Sequence, residues 1–588
     1  MEIYFDLLEK IKSDPYQAAV YEFDGNGIVK AGPGSGKTTV IVMKIKKILS
    51  EKIFYPRGLA CITYSNATAN HFSKKLAEIG VFVRKNVVLS TVHSFCLKEI
   101  IIPFGELSNS QISLPLKIIS DKNREIILNK CLQKKNIRTI SLSDFDILRS
   151  EYHSPITKHK NLSEEVIQVI IDYENTLLSN GYSDFSLIVT DSLKLISESK
   201  YIRKCIEAKF PWILIDEYQD LGQSLHEIVL ILSQSTKIKF FIVGDPDQSI
   251  YSFQGADPDL FYQLYDHPSF ERFELKRNYR TSQYLIDKTL GALDMDDREY
   301  ESGVNPDYDS KFYFIECEEN MLSQYMYLVN DLIPNLVEKE ISLEELCVLL
   351  ATNNQIKELA EVFSENGIPF FIEGSYFLKL NSASWIIKCA NYINYNSNFK
   401  DIYANLERLI NKRIGGKEAY FKLFKVLKES RLYQDNLAEW YNFVNTSIKF
   451  DELLGSSELA DEREAYEKFK EEFLTKEMSI EEFCNKTSSS NKVTISTRHS
   501  SKGLEFEVVA LLGMEEGSFP YYLYEEGTKE FREQERVFFV SLTRAKYSCY
   551  LLRSKVMSGI SKYGNSYVYE KNPSIFWEKL YQTTQNPD

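Results

Sequence analysis

Ile28-Val29-Lys30-Ala31-Gly32-Pro33-Gly34-Ser35-Gly36-Lys37-Thr38-Thr39 is the stretch whose reading decides the fold. A mostly apolar run leads into a turn with glycine at every second position. The turn closes on Lys-Thr, ahead of a helical pattern that reaches about Leu49. Glycines at 32, 34 and 36 let backbone N–H groups curl around phosphates without Cβ interference. Lys37 is placed to reach β- and γ-phosphates, and Thr38, at the positive end of the following helix, to ligate Mg²⁺. Ala31 stands where the first glycine of the strict phosphate loop is usual. Ala31, Gly32, Pro33, Gly34, Ser35, Gly36, Lys37, Thr38 and Thr39 are therefore the expected nucleotide-binding loop.

Outward from this loop, strand-like runs and helical patterns alternate. Leu59-Ala60-Cys61-Ile62-Thr63 and Val87-Val88-Leu89-Ser90 read as the next strands, each followed by a helix. That succession predicts a parallel sheet covered on both faces. From about 100 to 180 the pattern is helical. Sheet-forming runs return at Trp212-Ile213-Leu214-Ile215 and Phe240-Phe241-Ile242-Val243. A second set begins at Lys311-Phe312-Tyr313-Phe314-Ile315, continues at Leu346-Cys347-Val348-Leu349-Leu350, and resumes at Val508-Val509-Ala510-Leu511-Leu512 after another helical stretch. The expected organisation is a first α/β domain at 1–99 and 181–284 with a helical insertion at 100–180. A second α/β domain is expected at 285–380 and 486–588, with a reduced helical insertion at 381–485.

Composition narrows the class. Hydrophobic residues make up 44% and charged residues 26% of the 588 residues, an ordinary globular balance. No stretch approaches the ~18–20 apolar residues of a membrane span, and the N-terminus lacks a basic segment followed by an apolar core. A cytoplasmic protein with no membrane partner is expected. Nine scattered cysteines form no CxxC pair, so neither a zinc ribbon nor a conventional iron–sulfur cluster is suggested. The net charge of −14 does not favour a uniformly basic binding surface, although net charge does not describe any one groove.

Ile213-Leu214-Ile215-Asp216-Glu217 supplies the partner of the phosphate loop, an apolar strand ending in two acids. Asp216 is suited to hold Mg²⁺ through its water shell, and Glu217 to polarise an attacking water.

The string Asp216-Glu217-Tyr218-Gln219-Asp220, followed by Val243-Gly244-Asp245-Pro246-Asp247-Gln248-Ser249-Ile250-Tyr251, resembles the UvrD/Rep/PcrA family of superfamily 1 helicases. Further blocks match in the family's order: Thr63-Tyr64-Ser65-Asn66-Ala67, Ser90-Thr91-Val92-His93-Ser94-Phe95, Asn278-Tyr279-Arg280-Thr281, His499-Ser500-Ser501-Lys502-Gly503-Leu504-Glu505-Phe506 and Val540-Ser541-Leu542-Thr543-Arg544-Ala545. The resemblance implies two RecA-like P-loop domains with parallel sheets, each carrying a helical insertion, and an ATP- and Mg²⁺-dependent motor on DNA. Gln17 matches an adenine-reading glutamine, Tyr279 an aromatic that stacks on the base, and Gln248 a γ-phosphate sensor. Arg280 and Arg544 match two arginines from the second half of the cleft, and Glu505 a residue near the ribose. With Lys37, Asp216 and Glu217, the residues Gln248, Arg280 and Arg544 make up the implied catalytic set. Thr63, Tyr64, Asn66, Thr91, His93, Tyr251, Phe253 and His499 fall at positions that contact the nucleic acid.

Two departures bear on grip. Phe253 replaces the family's usual tryptophan, and Gln254 its usual arginine, which implies weaker hold on single strands. The implied activity is 3′→5′ translocation along single-stranded DNA and unwinding of tailed duplex, as in DNA repair. The alternative is a regulatory subunit of an anti-phage system of the Gabija type, coupling nucleotide state to a partner nuclease. No Asp…Glu-x-Lys cluster near the C-terminus suggests a fused nuclease.

Overall fold

A computed structural model of the chain describes residues 2–81, 87–108, 110–157, 162–295, 298–304, 310–373, 380–395, 399–409, 416–455, 466–560 and 566–585. Strands β1 (Gly27–Ala31), β2 (Leu59–Thr63), β3 (Val87–Thr91), β4 (Trp212–Ile215), β5 (Lys239–Gly244) and β6 (Glu271–Leu275) form one sheet in the order β3-β2-β4-β5-β1-β6. Every pairing in it is parallel. Side chains alternate along each strand. Ile28, Ala60, Ile62, Ile213, Ile215, Phe240 and Ile242 are buried on one face, and Val29, Ala31, Leu59, Cys61, Leu214, Phe241 and Val243 on the other. Two apolar faces are what a parallel sheet covered by helices on both sides requires. A short parallel pair, β7 (Arg277–Asn278) with β8 (Glu301–Ser302), adds to the same unit.

Residues 100–180 include the helices Asp121–Lys134, Leu142–Tyr152 and Glu164–Ser179. Their apolar residues do not form a separate core. Phe145, Val169, Tyr173 and Leu177 belong to the same buried cluster as Ile28, Ile62 and Ile242 of the sheet. A buried ion network reinforces that join. Arg149, fully buried, bonds Glu174 through Nε at 2.9 Å and Asp184 through Nη1 at 2.8 Å. Asp184 also caps the helix Phe185–Glu198, accepting from Leu187 N, and Arg124 holds Asp146. Ser150 meets Ser224 at 2.6 Å, and Ser154 donates to Glu227 at 2.6 Å. The insertion is thus tied to the helix Gln223–Ser235, which follows the acid pair.

The second sheet comprises β9 (Lys311–Glu319), β10 (Leu346–Leu350), β11 (Phe370–Ile372), β12 (Val493–Thr497), β13 (Phe506–Leu511), β14 (Ala545–Ile560) and β15 (Ser566–Glu570). Its order is β11-β12-β10-β13-β14-β15, with β9 running parallel beside β14. All pairings are parallel except the antiparallel β14–β15 pair. Helix Asn353–Glu365 packs Ile356, Leu359 and Phe363 into this sheet's core and opens on a capping box of Thr352 and Gln355. The insertion between β11 and β12 has its own core instead. Trp385 stacks on Phe450 at 4.4 Å, Trp440 Nε1 donates to Ser430 Oγ at 3.0 Å, and the buried cluster draws on residues from Leu380 to Cys484.

The chain divides into two compact units. The first is Met1–Ser310 with Tyr524–Phe539 and Gln582–Asp588, and the second is Lys311–Leu523 with Val540–Tyr581. The first unit therefore runs past the edge expected at 284, taking in the rest of the helix Gln283–Ala292, whose Ile286 and Leu290 pack with Tyr300 and Phe539. Among the described residues no helix is long and apolar enough to cross a membrane.

Replacing Arg149 by methionine strands buried carboxylates, a loss of about 3–5 kcal/mol where a buried pair loses one partner. Burial raises the Glu174 and Asp184 carboxyls. The His153 bond and Arg149 at Glu174, and Arg149 and Arg124 at Asp184, outweigh it, so both lie below the ordinary range. The folded chain then binds fewer protons than the unfolded chain, and the network's stabilisation is full above about pH 5 and lost as pH falls through the folded values. Urea unfolding of the first unit should show the full Arg149→Met loss at pH 7 and a smaller one near pH 3.

Candidate functional site

Because the first sheet is parallel, β1 to β5 all end on one edge, and the turns leaving them carry the expected residues. After β1, Gly34 and Gly36 take positive φ of 68° and 78°. A Cβ on Gly34 would lie 2.3 Å from Asn278 Oδ1, and one on Gly36 2.8 Å from Gln17 Nε2. A Cβ on Gly32 would likewise lie 2.3 Å from the Tyr300 ring, so the loop is gripped from outside at all three glycines. Ser35 Oγ donates to Gly32 O at 2.7 Å, and Lys37 Nζ to Ala31 O at 3.1 Å. Ala31, Gly32 and Pro33 are buried, while Lys37, Thr38 and Thr39, at the start of the helix Lys37–Glu51, are half-buried.

Gln17 lies on the helix Pro15–Glu22 and donates through Nε2 to Ser35 O at 3.0 Å. Asp14 caps this helix, accepting from the N–H groups of Tyr16 and Gln17, and its other oxygen accepts from Tyr279 OH at 2.5 Å. Tyr279 N donates to Gly34 O at 2.8 Å, so its ring, 45% exposed, sits beside the loop and the Gln17 helix. Lys44, on the loop's own helix and 2% exposed, donates to the carbonyls of Val20, Tyr21 and Phe23. It fastens the end of the Gln17 helix, where carbonyls lack helical partners.

After β4, Asp216 is buried, and Glu217 takes a left-handed φ of 52° that turns its side chain off the strand line. Gln219 is fully buried and joins two turns: its Nε2 donates to Glu217 Oε2 at 2.5 Å, and its Oε1 accepts from Asp245 N at 2.9 Å. After β5, the fully buried Asp245 accepts from Gln248 Nε2. Burial raises the Asp245 carboxyl, and the Lys37 charge opposes that rise. Arg280 N and Thr281 N both donate to Asn278 Oδ1, at 2.8 and 3.0 Å.

The resemblance implies that Arg280 comes from the second half of the cleft, whereas the expected first α/β domain, 181–284, includes it; Arg280 folds with the first unit, held by the Asn278 turn that also touches Gly34. The physical reason is the Tyr279 N–Gly34 O bond, which fixes this turn to the phosphate loop. Asp14 and Lys44 carry no signal in the sequence, and Gln219, Asp245 and Asn278 stand in the matching blocks without an assigned role. Asp245 carried a usable signal, an acid directly after an apolar strand, the same signal that marked Asp216.

Thr38 and Asp216 offer a hydroxyl and a carboxylate, hard oxygen donors suited to Mg²⁺. Among the described residues no group of three or more His, Cys, Asp or Glu could hold a metal alone. A Mg²⁺ ion here would complete its shell with water and phosphate oxygens, which is its ordinary habit.

The same edge carries an aromatic row. Tyr64, after β2, stacks on Tyr251 at 5.3 Å with 12° between ring planes. Tyr251 in turn meets Phe253 edge-on at 6.0 Å, and Phe253 is 51% exposed. After β3, Thr91 caps the short helix Val92–Phe95, and the exposed His93 lies 5.0 Å from the exposed ring of Phe185. Thr63 is buried, its Oγ1 donating to Ser65 O. Asn66 opens the helix Asn66–Glu78, but its side chain, like that of Gln254, lies outside the described residues.

In the second unit the expected residues divide between opposite edges. His499 follows the C-terminal end of β12, half-buried, with burial and then the Arg498 charge holding its imidazole below the ordinary value. Glu505 and Arg544 precede the N-terminal ends of β13 and β14. Arg544 is 1% exposed and donates to Val540 O, Leu504 O and Thr543 Oγ1 at 2.9–3.1 Å. Glu505 is exposed, 3.8 Å from Lys546 Nζ.

The UvrD/REP helicase N-terminal domain matches residues 13–269, and the UvrD-like helicase C-terminal domain matches residues 273–416 and 381–555. The chain is 24% identical to the ATP-dependent DNA helicase PcrA of Staphylococcus aureus (strain MRSA252), across 91% of this chain and 82% of that protein. It is 25% identical to the ATP-dependent DNA helicase PcrA of Staphylococcus epidermidis (strain ATCC 12228 / FDA PCI 1200), across 92% and 83%. Its two matched domains, laid in order over nearly the whole chain, make this protein a member of the UvrD/REP helicase family.

Proposed function

We propose that this chain is an ATP-dependent DNA helicase that moves 3′→5′ along single-stranded DNA. One observation carries the reading: the phosphate loop, the acid pair, the Asp245–Gln248 link and the Tyr64–Tyr251 stack leave the same edge of one parallel sheet. Crevices at the carboxyl ends of parallel strands are where such sheets bind their ligands.

In the proposed reaction Gln17 and Tyr279 hold the adenine, and the loop N–H groups with Lys37 hold the phosphates. Thr38 and Asp216 would hold Mg²⁺, which would supply charge neutralisation on the phosphate oxygens when bound. Glu217 accepts the proton of the attacking water, oriented by its bond from Gln219. Arg280 and Arg544 are assigned to the charge that spreads over the transferred phosphoryl oxygens, which a planar guanidinium can stabilise. Gln248 senses the γ-phosphate, with Glu505 near the ribose. Tyr64, Tyr251, Phe253 and His93 offer faces for bases, and Thr63, Asn66, Thr91 and His499 are assigned to the sugar–phosphate chain. The exposed Phe185 beside His93 extends that surface. Stacking of this kind is tolerant of sequence, as a motor that reads every base requires.

Glu217→Gln should lower DNA-stimulated ATP turnover by about 10²–10⁴-fold, the usual worth of a positioned general base, while ATP binding persists. Wild-type chain should unwind duplex with a 3′ tail and leave the 5′-tailed duplex paired. Unwinding from the 5′ tail alone contradicts the polarity, and turnover without strand separation on either tail contradicts the helicase.

Phe253→Trp enlarges the exposed platform, and one stacked base is worth about 1–3 kcal/mol. Affinity for an unlabelled oligothymidylate, read by competition at fixed salt, should rise several-fold. An unchanged affinity removes Phe253 from the track.

A further inference from the structure

Between Gln248, on the nucleotide side, and Tyr251 and Phe253, on the base side, lie only Ser249, Ile250 and Ser252. This short stretch is held from a distant part of the chain. Helix Lys529–Leu542 presents Glu533 and Arg536, three residues apart and so on one helix face. Arg536 Nε donates to Ser249 O at 2.5 Å, and Glu533 Oε1 accepts from Ser252 N at 3.0 Å. The two bonds fall on either side of Ile250, which is fully buried. Ser249 Oγ also donates to Gln219 O at 3.1 Å, bringing the acid-pair turn into the same assembly. All of these residues belong to the first unit, and the helix continues from Val540 into the second.

A guanidinium and a carboxylate on backbone groups are charge-assisted bonds, stronger than neutral ones. They grip main chain rather than side chain, so they set where the segment lies whatever its side chains do. The donor and acceptor sit in the right sense, cation to carbonyl and anion to amide. Any shift of Ser249 would have to break or carry these bonds, and Tyr251 and Phe253 would move with Ser252.

We propose that Glu533 and Arg536 are positioning residues that hold the segment Ser249–Ser252 as one rigid link, so that the state of Gln248 is transmitted to the Tyr251–Phe253 platform. This rests on the roles proposed above for Gln248, Tyr251 and Phe253. Neither residue touches nucleotide or DNA in the proposal, and their effect is on coupling. Coupling between two sites is a free-energy difference carried by an element with two positions, and its usual size is about 5–150-fold.

The test uses the full-length chain and the variants Arg536→Gln, Glu533→Gln and Arg536→Lys. ATP turnover is measured without DNA and with saturating oligothymidylate, along with the KM for ATP. In both glutamine variants the DNA-free rate and the KM should stay within about twofold of wild type. DNA stimulation should fall by about tenfold, inside the usual coupling range. Arg536→Lys keeps a cation but loses the planar donor, and should recover part of the stimulation. Undiminished stimulation in both glutamine variants overturns the proposal. So does an equal loss of DNA-free and stimulated rates, which would mark the contacts as merely structural. A wild-type chain whose turnover ignores DNA would instead refute the function proposed above, so the two failures are distinguishable.

Discussion

In a parallel sheet every strand ends on the same edge, and here that constraint gathers residues separated by more than two hundred positions. Gly34 and Lys37 leave β1, Tyr64 leaves β2, His93 leaves β3, Asp216 and Glu217 leave β4, and Asp245 and Gln248 leave β5. The strand order sets the spacing. β5 lies between β1 and β4, so the turn that carries Asp245 and Gln248 sits between phosphate loop and acid pair. The alternating apolar side chains that bury both faces are what hold this order. Each such fully buried side chain contributes about 1.5–3 kcal/mol.

On that edge a few buried polar side chains join one turn to the next. Gln219 links Glu217 to Asp245, and Asp14 links Tyr279 to the Gln17 helix. Polar groups buried this way are costly unless paired, so a shift of one turn strains its neighbour. The turns are therefore mechanically joined. The two insertions contrast with each other. The first shares the sheet's core and is locked by Arg149 and its carboxylates, whereas the second packs around Trp385 and Trp440 on its own.

Much of this was legible in the chain itself. The phosphate loop and the acid pair are contiguous strings whose chemistry is local, and the two α/β patterns follow from apolar periodicity. What the sequence hid is long-range. Nothing local says that Lys44 would cap the Gln17 helix, or that Tyr279 N would bond Gly34 O, because each depends on a contact set by tertiary packing. The merging of the first insertion's core with the sheet was hidden for the same reason: an amphipathic helix declares an apolar face but not what covers it. The aromatic row could be named from the resemblance, but the near-parallel Tyr64–Tyr251 stack needed coordinates.

On the proposed function, one sheet edge binds nucleotide and single strand together and couples them. Binding coupling is reciprocal, so it can be read without catalysis. The direct measurement is single-strand affinity with and without a saturating non-hydrolysable ATP analogue, in wild type and in Gln248→Ala. An affinity change within the usual range of about 5–150-fold is expected in wild type, and little or none in the variant. Equal affinities with and without the analogue in wild type would contradict that coupling.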